Sequence, residues 1–318
     1  MDINVRNMDN LYRTINTAFL TGLNSTKDER PHILVLGDVA FVLPSNGAST
    51  QYSWLGQIKG MTEWVGDRIL ESLKVNAIIV VNRKFEDSLK VDADNIRDDQ
   101  YGQFARLGQS LGESADELPM DLVGEALIGN AKWADGNPFF CTGRVLGKAS
   151  ITNASTNALS KDNVETAITA IGSYQLHAGR PAKVRVVNLL VGASKLSLAK
   201  SICEAKNLAN GASNTSTAMI LTVKQCDEFV GDYADRWAIT GVKAGIPPVA
   251  YQQREKPGNL TRMDKDGDYN VFLRDIYYYG VRARGEAFMT IPILAYMGGM
   301  DAAPAWNKAL ADALVVAD

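Results

Sequence analysis

Two histidines and three cysteines are all that the 318 residues contain of the two side chains most used for metal and nucleophile chemistry. His32 stands at a strand start and His177 near a helix end, and neither sits in a Cys, Ser or carboxylate arrangement of known geometry. Cys141, Cys203 and Cys226 are odd in number, lack metal-ligand spacing and suit a reducing compartment. The formal net charge is only −3, so there is no basic stripe of the kind a dedicated nucleic-acid binder shows. No apolar run is long enough to span a bilayer, so no membrane partner is expected. No basic segment followed by an apolar run opens the chain, so no signal peptide is expected. No Gly-x-Gly-x-x-Gly follows a strand. Gly192-Ala193-Ser194-Lys195 lacks the second glycine and the Lys-Ser/Thr ending of a phosphate loop. Asp264-Lys265-Asp266-Gly267-Asp268 has its glycine in the wrong place for a calcium loop and reads as an acidic turn. No catalytic, cofactor-binding or metal residue is nominated, no cofactor is expected, and nothing points to an enzyme.

What is present is an ordinary globular composition, 46% hydrophobic and 22% charged, with room for two domains. The chain is organised around a long helical stretch from Asp92 to Asn130. Asp94, Asp98 and Asp99 suit a helix N-terminus. Tyr101, Phe104, Leu107, Leu111, Ala115 and Leu118 then recur at three- and four-residue steps, one stripe on a helix. Pro119 should kink or restart it; Leu122, Val123, Ala126 and Leu127 resume the stripe, and Gly129-Asn130 is a stop. Such an element spans roughly 40 Å.

Upstream, Leu11, Ile15, Phe19 and Leu23 mark an amphipathic helix over Asn7 to Leu23, docked on its own domain or on a neighbour. His32 to Leu43 is a β-type run. Thr50 to Val81 starts with a strand-like piece and ends with a return strand at Ala77 to Val81. Between them lies a long aromatic, charged excursion carrying Trp54, Trp64 and Arg68. This reads as an extended hairpin, which is barely stable alone in water and needs a partner surface. Exposed Trp and Arg are residues that interfaces favour; spacing alone leaves Trp54 and Trp64 equally suited to the domain's own core. Asn82 to Val91 alternates as a strand leading into the long helix.

After that helix comes a turn-rich loop, Trp133 to Arg144, anchored by Phe139 and Phe140. Ala149 to Lys161 is small and polar and reads as a domain boundary. An α/β region follows. Asp162 caps a helix over Asn163 to Leu176, Val184 to Val191 is a buried central strand, and Ser194 to Leu208 is a helix. Met219 to Val223, Trp237 to Ile239 and Ile246 to Gln252 are further strands. Two long strands are predicted at Val271 to Tyr279 and Ala287 to Tyr296, joined by a turn carrying Arg282 and Arg284. Pro304 to Val316 closes the chain as a short amphipathic helix.

This order of parts resembles the major capsid proteins of tailed phages. TQYSWLG at 50–56, EWVGDR at 63–68, NRKFEDSLKV at 82–91 and NIRDD at 95–99 look like the Mu-like major head subunit family, as do AYQQREKP at 250–257 and NVFLRDIYYYGVRARG at 270–285. The likeness runs from about Met8 to Met297. It implies an α+β, Hong-Kong-97-type capsid fold: a peripheral domain with a long spine helix, an extended β-hairpin arm and an α/β axial domain. The corresponding divisions are 1–49 for the N-terminal arm and the start of the peripheral domain, 50–81 for the hairpin arm and 82–148 for the peripheral domain. The axial domain takes 149–265, and the return strands and tail take 266–318. Cys141-Thr142 stands where the family more often has an acidic, histidine-containing stretch, and the tail from Gly298 extends past the usual final strand. The resemblance implies a homo-oligomer of hexamers and pentamers forming an icosahedral shell. Its attendants would be portal, scaffold and decoration proteins, with double-stranded DNA packaged without sequence-specific binding. The subunit would assemble in the host cytoplasm and reside in the virion. Trp54, Trp64, Arg68, Arg282 and Arg284 are the candidate subunit-interface residues. An encapsulin-like nanocompartment shell shares the fold; a cytosolic α/β enzyme or ligand-binding domain is the alternative of another class.

Overall fold

A single fourteen-residue strand is the axis about which the largest of the four sheets among the described residues is built. The computed structural model describes residues 5–24, 32–52, 78–97, 103–146, 149–175, 181–207, 211 and 213–315. In chain order the elements are α1 (Val5–Gly22), α2 (Leu36–Val39), β1 (Ala40–Pro44), β2 (Ser49–Tyr52), β3 (Ile78–Val81), β4 (Arg83–Asp92), α3 (Ala93–Arg97) and α4 (Gln103–Gly129). Then come β5 (Arg144–Leu146), β6 (Ala149–Ile151), α5 (Lys161–Ser173), β7 (Arg185–Val191), α6 (Leu196–Cys203), β8 (Thr222–Gln225), β9 (Trp237–Val242) and β10 (Val249–Glu255). The last are β11 (Thr261–Met263), α7 (Tyr269–Arg274), β12 (Ile276–Met289), β13 (Ala295–Gly298) and α8 (Lys308–Val315).

The larger sheet has the order β1-β10-β12-β11, with β4 along the other edge of β12. β4 pairs antiparallel from Asp92↔Ile276 to Arg83↔Gly285, and β1 pairs β10 in parallel. Along β12, Tyr279, Val281, Ala283 and Gly285 are buried, while Tyr278, Gly280, Arg282 and Arg284 take the alternate face. The smaller sheet, β13-β9-β7-β8, pairs β7 parallel to β8 and antiparallel to β9. Its core joins Leu189, Val191, Trp237 and Ile239 to Val164, Ala167 and Ile171 of α5 and Ala199 and Ile202 of α6.

Helix α4 ties separate cores together. Its first half packs on α1, which docks on its own chain, with Ile15 and Phe19 fully buried beside Leu111, Tyr277 and Tyr279. The helices meet backbone to backbone. A Cβ on Gly108 would lie 2.8 Å from the Ile15 carbonyl oxygen, one on Gly112 would lie 2.7 Å from the Leu23 nitrogen and strike the Phe19 carbonyl, and one on Gly22 would strike the Gln109 carbonyl. Polar contacts fix the register of α1: Tyr12 donates to the Leu260 carbonyl at 2.9 Å, Asn16 accepts from the Leu260 amide at 2.9 Å, and Asp9 pairs with Arg262 at 2.8 Å. The second half of α4 buries Leu122, Val123 and Leu127 against Phe139, Phe140, Tyr251 and Met297. Pro119 is accommodated inside one continuous helix rather than restarting it.

The structure revises several expectations. Val271 to Tyr279 is not one strand: α7 occupies its first part, ends at Asp275 in the left-handed conformation (φ 54), and gives way to β12. Arg282 and Arg284 therefore lie within a strand, not on a turn. The glycines beside them mark close approach instead of a bend, since a Cβ at Gly280 would meet Ser88 Oγ at 2.9 Å and one at Gly285 the Tyr251 hydroxyl at 2.7 Å. The run from His32 is interrupted by α2, whose start is closed by Asp38 accepting from the Val35 amide at 3.1 Å. Ser160, not Asp162, caps α5, accepting from the Asn163 amide at 3.2 Å. Met219 lies in a 3-10 turn before β8.

The tail beyond Met297 is built into the body. The Thr142 amide donates to the Pro304 carbonyl at 2.8 Å and the Trp306 amide to the Thr142 carbonyl at 2.9 Å. The Trp306 indole donates to Asp135 at 3.1 Å, and Asp135 also pairs with fully buried Arg144. Cys141, at the departure from the family pattern, is buried.

Gly112→Ala forces α1 off α4 and is expected to cost about 1–3 kcal/mol, read as a lower denaturant midpoint. Gly129→Ala meets nothing within 4 Å and is expected to be neutral or to stabilise by up to about 1 kcal/mol.

Candidate assembly site at the root of the excursion

Trp54, Trp64 and Arg68 lie outside the described residues, but both ends of the segment that carries them are described. β2 and β3 pair antiparallel, from Ser49↔Val81 to Tyr52↔Ile78, so the chain leaves and re-enters the body side by side. The two strands have an inner and an outer face. Tyr52 and Val80 are buried with Ala250 and Phe288, the rings of Tyr52 and Phe288 stacking at 4.9 Å. Ile79 and Val81 face outwards, 68% and 62% exposed.

Under this pair lies a buried hydrogen-bond network. The Tyr52 hydroxyl donates to Gln252 Oε1 at 2.8 Å, and Gln252 Nε2 donates to Asn82 Oδ1 at 2.7 Å. Asn82 Nδ2 donates to Ser45 Oγ at 3.1 Å and to the Gly47 carbonyl at 2.9 Å, and Ser45 Oγ lies 3.0 Å from Thr50 Oγ1. The Asn82 amide donates to the Ala48 carbonyl at 3.0 Å, and Arg254 donates to the Ser45 carbonyl at 3.1 Å. Gln252 is wholly buried, so each of its bonds replaces one to water, and losing a partner strands a polar group. Burial also pushes the Tyr52 phenol above its ordinary pKa.

The next residue fastens the root to the rest of the molecule. Arg83 grips Glu125 of α4 with two nitrogens, at 2.7 and 3.3 Å, and Glu286 of β12 through Nη2 at 3.0 Å and through Nε. Its bonds to Glu125 and then to Glu286 hold the guanidinium pKa well above its ordinary value. Bidentate pairing of this kind fixes direction as well as distance.

Arg282 and Arg284 are two residues apart on one face of β12, the face that further along the strand carries Glu286 and Phe288 beneath the root. Arg282 is 57% exposed and pairs with Glu255 of the same chain at 3.1 Å; Arg284 has a buried Nε with no hydrogen-bond partner. A second feature escaped the sequence reading: a cleft of about 520 Å³ beside Pro119, lined by Asp116, Glu117, Asp121, Asp227 and Glu228. Glu228 lies where a side chain at position 124 would otherwise project from α4. Burial raises the pKa values of Asp121 and Glu228, and the charges of Asp121 and Asp227 raise Glu228 further. Among the described residues no group of three or more His, Cys, Asp or Glu has the placement to hold a metal ion.

The model of the family described as Mu-like prophage major head subunit gpT matches this chain over residues 8–150, 146–226 and 222–302. The Mu-like prophage FluMu major head subunit of Haemophilus influenzae is 26% identical over 251 residues, covering 78% of this chain and 61% of the relative. The major capsid protein of Escherichia phage Mu is 32% identical over 85 residues, 27% of this chain and 28% of that protein. The chain thus spans under two thirds of the length of either relative. Among solved structures, a chain of the bacteriophage JBD30 procapsid superposes with a TM-score of 0.55 at 22% identity, covering 98% of this chain and 80% of its own. A chain from the capsid of an empty GTA particle gives 0.54 at 11% identity, covering 83% and 88%. The fold is the Hong-Kong-97-type capsid fold that the resemblance implied.

Asn82→Ala strands buried Gln252 Nε2 and takes the shorter of two donors from the Gly47 carbonyl, and is expected to cost about 1–3 kcal/mol, read by thermal melting. The cleft carboxylates give a pH dependence of definite sign. With folded pKa values above the ordinary carboxylate value of about 4, Asp121 and Glu228 bind protons in the folded chain that the unfolded chain releases. Their contribution to stability therefore falls as pH rises from that value through the raised ones. Glu228→Gln is expected to flatten this decline in urea titrations run from about pH 4 to pH 8.

Proposed function

The chain belongs to the Mu-like prophage major head subunit family, a family of structural capsid proteins and not of enzymes, and on that premise we propose that it is the major capsid protein of a tailed phage. Copies of it form the hexamers and pentamers of an icosahedral head that encloses double-stranded DNA. The observation that carries this reading is the family match from residue 8 to residue 302. The physical features agree with it. A shell subunit needs surfaces that gain stability only on a neighbour, with contacts that close into rings. The segment between β2 and β3 starts from a locked root and holds two tryptophans and an arginine in its sequence, residue types that interfaces favour. The net charge of −3 suits a wall that faces packaged DNA without gripping it. Portal, scaffold and decoration proteins would attend assembly in the host cytoplasm, and the finished subunit would reside in the virion.

The test is negative-stain imaging and light scattering of the chain expressed alone and with the other head-assembly proteins of its genome. Closed shells, tubes or rings of five or six subunits are expected. A monodisperse monomer under both conditions would contradict the proposal. Trp64→Ala is expected to leave the melting temperature of the subunit unchanged and to lower the yield of shells at least tenfold; normal shells from that variant would contradict the role given to the arm.

A further inference from the structure

The turn after β8 seats a carboxyl directly on the backbone of a helix. Both ends of the turn are pinned. Cys226 is buried and its amide donates to the Val191 carbonyl at 2.9 Å, and Phe229 is buried in the core that holds Val123 and Leu127 of α4. The Phe229 amide closes the turn on the Cys226 carbonyl at 3.2 Å. Between them Asp227 is exposed, while Glu228 turns back onto α4. A Cβ on Gly124 would overlap Glu228 Cγ, Cδ and Oε1, so the carboxyl occupies the space that a side chain of α4 would otherwise fill. The Cys226 thiol, a weak donor, gives its hydrogen to Glu228 Oε2 at 3.1 Å.

This seat suits an acid better than an anion. A carboxylate taken from water needs a cation or strong donors in exchange. Here the groups that face it are the thiol, Asp227 beside it and Asp121 on the adjacent turn of α4, with Asp116 and Glu117 further along the same cleft. Among the described residues no Lys, Arg or His lines that cleft, and residues 33–36 on its other wall bring only apolar side chains. Lys224, the nearest cation along the chain, is held by Asp38 of α2 at 2.9 Å. The cleft, with Glu117, Asp121 and Asp227 exposed on its rim, gives an ionised side chain a way to water.

We propose that Glu228 is a proton-operated latch between α4 and the turn after β8: the neutral acid sits on Gly124, and the carboxylate leaves the seat for the cleft. Burial is the main cause that raises the Glu228 pKa in the seat, and the charges of Asp121 and Asp227 add to it. A group whose pKa is raised by its seat holds that seat fully below its ordinary value and gives it up as pH rises through the raised one. The latch lies within one chain and needs no neighbour, so the free subunit suffices to test it.

Hydrogen exchange at the Phe229 amide, divided by the intrinsic rate of an unstructured peptide at each pH, reads the latch. From about pH 4 to pH 8 its protection is expected to fall at least about fivefold, while the amides of β7 and β9 keep theirs. Glu228→Gln fills the seat with a neutral side chain and is expected to hold protection within about twofold over that range. Gly124→Ala displaces the side chain at every pH, in a helix interior that favours alanine, and is expected to show low protection throughout. Asp121→Asn removes a neighbouring negative charge and is expected to move the fall to lower pH. Level protection across the range in the unmodified chain would overturn the proposal. So would a fall of the same size in Glu228→Gln, or an unaltered pH profile in Gly124→Ala.

Discussion

The close approach of α1 to α4 is the constraint on which the rest of the body depends. Helix surfaces usually stand about 8–10 Å apart, axis to axis, because side chains hold them there. Here Gly22, Gly108 and Gly112 remove those spacers, and carbonyls of one helix sit where side chains of the other would be. Two interior glycines cost α4 about 1 kcal/mol each in helix propensity. In return α1 lies deep enough for Ile15 and Phe19 to reach Tyr277 and Tyr279 of β12. The second half of the same helix buries Leu122, Val123 and Leu127 against Phe139 and Phe140. One rod therefore runs through both cores and holds them at a fixed distance.

Against that fixed body the outward-facing parts are of two kinds. The root of the excursion is rigid: Tyr52, Gln252, Asn82 and Ser45 satisfy one another in a buried chain of hydrogen bonds, and Arg83 bolts the returning strand to both α4 and β12. The face of α7 is also rigid, set by Asn270, yet it is apolar and uncovered. Both arrangements use a buried polar side chain to set the direction of an outward-facing element. A buried amide is suited to this, since its geometry is directional where hydrophobic packing is not.

Much of this architecture was legible in the chain. The stripe from Phe104 to Leu127 announces α4, and the alternating run into Val91 announces β4, because local periodicity decides both. The phenylalanine pair at 139 and 140 is buried as expected. Periodicity fails where a long-range contact decides. Gly280 and Gly285 look like turn residues, and only Ser88 and Tyr251 across the sheet explain why they sit in a strand. Asn82 and Gln252 look like ordinary polar strand residues until their 170-residue separation in sequence is closed by a hydrogen bond. Locally each shows only as the polar residue that ends an apolar run. The acidic cleft at Pro119 was hidden for the same reason, since Asp121 and Glu228 are brought together by the fold alone.

The central claim is that the subunit body is finished before assembly and only its outward faces are completed by neighbours. Amide hydrogen exchange on the free subunit and on assembled shells compares the two states directly. The expected result is equal, strong protection of α1, α4 and β12 in both, with the strands at the excursion's root gaining protection only in shells. Rapid exchange throughout α1 and α4 in the free subunit, slowed only by assembly, would contradict the account, because the two cores would then be products of the shell and not its starting material.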